Sequence, residues 1–60
     1  MRPIGDAVAT VSPERGRWWV DITVPFPDGV VYHRIADYHT AHRARIAAGL
    51  IERAANRSRV

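Results

Sequence analysis

The side chains with the most chemistry to offer are cationic and aromatic, and they recur at a spacing of two. Arg17 and Trp19 form one such pair, and Tyr32 and Arg34 form another. On an extended chain a spacing of two sends both members of a pair to one face. An exposed Trp beside Tyr and Arg has the composition of a protein-binding hot spot. It equally suits a platform on which bases stack while guanidinium groups meet phosphates. The competing reading is purely structural: Trp19 packs under the N-terminal segment or a loop and closes the second face of a small sheet, since buried Trp commonly serves packing.

Other chemistries find less support. His33, His39 and His42 are the three histidines, and His39 lies outside the expected helix, so its separation from His42 fixes no geometry. With no cysteine and no carboxylate at a diagnostic spacing, they match no zinc pattern. The chain has no Gly-rich phosphate loop, no Ser elbow and no paired carboxylates on one element. Sixty residues also leave little room for a concave active site. A non-enzymatic protein with neither metal nor cofactor is expected. One anion site is conceivable where His39, His42 and Arg43 gather at the helix start, because free amides there attract phosphate.

These residues need elements to position them. Trp18, Val20, Ile22 and Val24 alternate with Arg17, Trp19, Asp21 and Thr23, which predicts a half-buried strand over 17–24. A weaker strand is expected over 6–11, followed by a turn at Ser12-Pro13-Glu14-Arg15-Gly16. A third is expected over 30–35, with Val31, His33 and Ile35 on one face and Val30, Tyr32 and Arg34 on the other. Pro25 and Pro27 cannot donate ladder hydrogen bonds, so they are placed in the second turn with Asp28-Gly29. Ala36 to His39 reads as a linker and Thr40 as a helix N-cap.

The helix is expected over 41–56. At about 100° per residue its Ala41, Ala44, Ala47, Ala48, Ile51 and Ala55 form one small-residue stripe. Such a face approaches a sheet closely, with bulk supplied by Trp18, Val20, Ile22 and Val31. Ile46 and Leu50 fall off the stripe, either flanking the core or forming part of a dimer or partner surface. A flexible tail is expected over 57–60. The expected fold is α+β: one domain over 1–60, a three-stranded antiparallel meander against a C-terminal helix.

Composition sets the outer bounds. A chain of this size makes at most one marginal core, and without cysteines no disulfide reinforces it. Self-association or a partner is a natural remedy. No apolar run approaches the roughly 20 residues of a membrane span, and the first residues show no signal-peptide stretch. A soluble cytoplasmic protein without membrane contact is expected. The net charge is +3 with a pI near 10.6, which permits an anionic partner but also fits a diffuse solvated basic surface. All nine basic residues are Arg. Beside abundant Ala and Val, that fits GC-rich coding DNA such as an actinobacterium or one of its phages carries.

One arrangement is shared with a known type. Gly16-Arg17-Trp18 opens strand two, Asp28-Gly29 ends a turn, Tyr38-His39-Thr40 precedes a helix, and Ala44 with Ala47 or Ala48 recurs within it. This resembles the plant APETALA-type domain and the arm-binding domains of tyrosine integrases, which pair a three-stranded sheet with one helix. The resemblance implies a sheet face that enters the DNA major groove. It further implies contacts from Arg17, Trp19, Asp21 and Thr23 on strand two and from Tyr32 and Arg34 on strand three. A small sheet followed by an Ala-rich helix after a Thr is also similar to antitoxins of the Hic toxin–antitoxin type.

Two functions therefore stand side by side. The first is a DNA-binding protein of phage or mobile-element origin using Arg17, Trp19, Tyr32 and Arg34, with Arg43 on a phosphate. The second is a protein-interaction module, as a monomer or a homodimer, using the Trp19 face or the Ile46 and Leu50 flank.

Overall fold

A computed structural model of the chain describes residues 2–57. The expected free tail lies mostly outside these residues; Arg57 itself belongs to the helix. Three strands precede that helix: β1 (Val8–Glu14), β2 (Arg17–Phe26) and β3 (Gly29–Tyr38), then α1 (Ala41–Arg57). The sheet is antiparallel in the order β1-β2-β3, an α+β meander.

Both connections are tighter than the turn-rich sequence implied. Glu14 pairs with Arg17, so the first turn is only Arg15-Gly16, with φ of 52° and 76°. Two successive positive φ values match the right-handed twist of the flanking strands. Ser12, Pro13 and Glu14 are thus strand rather than turn, and β1 runs later than expected. Pro13 is tolerated because β1 is an edge strand and needs no donor on its outer side. Phe26 pairs with Gly29 across Pro27-Asp28. Pro25, expected in the loop, lies in β2 opposite Val30. It turns its carbonyl to the Ile4 N–H at 2.9 Å, beyond the end of β1, where its missing N–H leaves no ladder partner unmet.

β3 also continues past the expected linker. Val20 pairs with Ala36 and Asp21 with Arg34, leaving Ile35 as an extra, bulged residue. The bulge reverses the alternation, so Ala36 and Tyr38, rather than Ile35, share the face of Val20 and Trp18. That face receives α1.

Val20 and Ala44 are fully enclosed, and Ala48 joins them, with Ala9, Val11, Trp18, Tyr38 and Ile51 packed around. The small-residue stripe does lie on the sheet, as the spacing predicts. Thr40 caps the helix, its Oγ1 accepting from the Arg43 N–H at 3.1 Å. Val31, expected to supply core bulk, is instead 41% exposed. The helix lies over β1 and β2, and most of β3 is left uncovered.

The outer edge of β1 is closed by α1. Asn56 accepts from the Ala7 N–H at 2.8 Å and donates to the Ala7 carbonyl at 3.1 Å. Glu52 accepts from the Ala9 N–H at 2.7 Å. The two helix side chains thus stand in for a neighbouring strand.

Candidate functional site

Register brings Arg17, Trp19, Tyr32 and Arg34 together on the face of the sheet opposite α1. Arg34 sits directly across from Asp21, and Tyr32 across from Thr23. The Arg34 Nε donates to Asp21 Oδ1 at 2.9 Å and its Nη1 meets Glu14 Oε2 at 3.0 Å. The same guanidinium lies over the Trp19 ring, 4.6 Å from the centroid. Trp19 Nε1 donates to the Glu14 carbonyl at 3.2 Å. Trp19 is therefore half-buried: it points outward, as the alternation predicts, yet its ring is roofed by Arg34.

Asp21 is the one buried charged side chain among the described residues, 4% exposed on a face that has no second layer. Arg34 holds it from the neighbouring strand. The Arg34 hydrogen bond holds the Asp21 carboxyl below its ordinary value, opposing the upward push of desolvation, and Tyr32 adds a smaller lowering. Arg34 is driven correspondingly upward, chiefly by Asp21.

Arg17 forms a second group at the other end of the face. Its Nε donates to Asp37 Oδ2 at 3.0 Å, and its Nη1 donates to His39 Nδ1 at 2.9 Å. The face as a whole carries the carboxylates of Glu14, Asp21 and Asp37 against the guanidinium groups of Arg17 and Arg34. Among these five paired side chains the formal charge is negative by one. Glu14 and Asp37 were not singled out from the sequence, because one was assigned to a turn and the other to a linker.

Arg43 does not join this cluster. It lies on α1, against the other side of the sheet, beside Ile46 and Leu50. Those three, with Tyr38, His42 and Ala47, line an open cleft of about 430 Å³ between the helix flank and the end of β3. Ile46 and Leu50 are 55% and 57% exposed. Among the described residues no group of His, Cys, Asp or Glu is placed to hold a metal ion. No helix there is long and apolar enough to cross a membrane.

No protein-family model matches the chain, and no curated protein or solved structure matches it either.

Proposed function

We propose that the chain is a small protein-interaction module whose binding surface is the apolar flank of α1, with Ile46 and Leu50, and the uncovered β3 beside it. The observation that carries this reading is the pairing of charge on the opposite face. Arg17 and Arg34 already satisfy carboxylates there, and the carboxylates are in excess. A phosphate backbone approaching that face would have to break these pairs and meet their excess carboxylate. The α1 flank asks for no broken ion pair: Ile46 and Leu50 are aliphatic and gain by leaving water, with the exposed His42 and Arg43 at their border.

The test is a peptide-library selection on the folded protein, repeated on the Ile46→Asp/Leu50→Asp variant. Peptides that bind the parent and lose at least about tenfold in affinity on the variant, whose helix is retained by circular dichroism, bear the reading out. No selected peptide, together with duplex-DNA binding that collapses as salt rises, overturns it.

The DNA reading keeps one observation in its favour. Arg43, Arg45 and Arg53 are exposed on α1, and the chain is cationic overall at +3. That support moves the contact from the sheet to the helix, and the salt titration above separates the two readings.

A further inference from the structure

The two edges of the sheet are treated differently. On β1 the register alternates hydrogen-bonded pairs with β2, so Ala7, Ala9, Val11 and Pro13 turn their backbone outward. Asn56 and Glu52 satisfy Ala7 and Ala9, and Pro13 has no N–H. That edge is largely closed. Among the described residues nothing comparable covers β3. Because Pro25 gives its carbonyl to Ile4 rather than to β3, its opposite, Val30, faces away from β2. The same alternation turns Tyr32 and Arg34 outward as well. The Gly29–Arg34 stretch has no Pro or Lys, and its one guanidinium, Arg34, is turned across the sheet onto Asp21 and Glu14, so Gly29 to His33 lack the usual protection of a free edge.

The apolar surface follows the open edge. Among the described residues, the exposed large hydrophobics are Val30, Val31, Tyr32 and Ile35 on β3 and Ile46 and Leu50 on the adjoining helix flank, with only Ile4 and Val8 elsewhere.

From this we infer that β3 pairs antiparallel with β3 of a second copy, about a two-fold axis at Tyr32. This deepens the protein-binding reading and rests on it. Centred there, Val30 opposes Arg34 of the second copy, Tyr32 opposes Tyr32, and Arg34 opposes Val30. All three positions have outward backbone groups, so each becomes a mutually hydrogen-bonded pair. The side chains are compatible. Val31 meets His33, the two tyrosines form an aromatic cross-strand pair, and Arg34 brings its own Asp21 and Glu14, so no bare like charges are opposed. The segment ends at the Ile35 bulge, which limits pairing to the flat part of β3. Because β1 is largely closed and β3, among the described residues, is the open edge, the arrangement closes at two copies instead of growing into a filament. The product is a six-stranded sheet with both helices on one face, and it enlarges a core whose largest fully buried side chain is Val20.

The experiment combines solution mass with a single introduced cysteine, the natural chain having none. Tyr32→Cys places two thiols across the axis at a Cα separation of about 5.5 Å, inside the disulfide range of about 4.4–6.8 Å. Mild oxidation should give a covalent dimer, while Val8→Cys on the closed edge should not. Val30→Pro removes an outward N–H without touching a bond to β2. It should weaken association by about 100-fold while circular dichroism still shows the folded monomer. A dimeric parent whose Tyr32→Cys variant gives no crosslink overturns the β3 pairing and leaves the protein-binding reading standing on another surface. A parent that stays monomeric at all concentrations, with no crosslink in the variant, overturns the inference too, and the peptide selection on Ile46 and Leu50 then decides the broader reading separately.

Discussion

Asp21 is where a one-dimensional pattern and a three-dimensional environment part most sharply. Alternation puts it outward, and it is outward, yet it is 4% exposed, with the Arg34 guanidinium hydrogen-bonded to it. A carboxylate so covered is stable only while its guanidinium partner remains. Asp21→Asn should cost about 2 kcal/mol in urea unfolding, since it removes a charge-assisted hydrogen bond from a shielded site. The pH dependence has a definite sign. The folded carboxyl titrates below its ordinary 3.8, so the unfolded chain binds more protons in the intervening range. Asp21 therefore contributes in full above about pH 4, and its contribution drains as pH falls through the folded value. Unfolding followed from about pH 5 to pH 2 should show an acid loss in the parent that is smaller in Asp21→Asn. Equal slopes would mean the pair does not form. The Arg17, Trp19, Tyr32 and Arg34 cluster was legible from spacing. Its neutralisation was not, because Glu14 and Asp37 reach it only through a register that the sequence does not reveal.

Among the elements, the first hairpin carries a local conflict between residue and backbone. Arg15 occupies a left-handed conformation, φ 52°, which costs a side chain with a Cβ about 1 kcal/mol. Asn accepts that conformation more readily, so Arg15→Asn should raise stability by about 0.5–1 kcal/mol. Gly16 sits at φ 76° with open space around a would-be Cβ. Gly16→Ala should therefore lose about 1 kcal/mol from backbone strain alone, with no clash. Urea midpoints of the two variants should move in opposite directions, and shifts of one sign would contradict the turn geometry. Strand β2, the Thr40 cap and the helical stripe could be read because their signals are local and periodic. The length of β3 could not. The Ile35 bulge inverts the side-chain parity, so Ala36-Asp37-Tyr38 loses the alternation that marks a strand. The extent of β1 was hidden for a related reason: Pro13 reads as a strand breaker unless it is known to face an unpaired edge.

For the whole molecule, thinness governs. The principal extents are 36 × 21 × 11 Å, so one sheet and one helix share a core built largely from Val20, Ala44 and Ala48. A body of this shape has much edge for its volume, and the management of its edges decides how it behaves. Asn56 and Glu52 connect the far end of α1 to β1, joining residues more than 40 positions apart. The Glu52→Ala/Asn56→Ala variant removes three hydrogen bonds, and at about 1 kcal/mol for each it should lose roughly 3 kcal/mol. The Ala7 and Ala9 amides should also exchange with solvent much faster than in the parent. A second effect follows from the geometry. With β1 unlatched the sheet has two open edges, and an association that closes at two copies on β3 can continue from β1. Light scattering should then show mass rising with concentration in the variant, where the parent should stop at the proposed dimer. If the variant loses stability but its mass never exceeds that of the parent, the latch serves only folding, and the asymmetry between the two edges has no role in assembly.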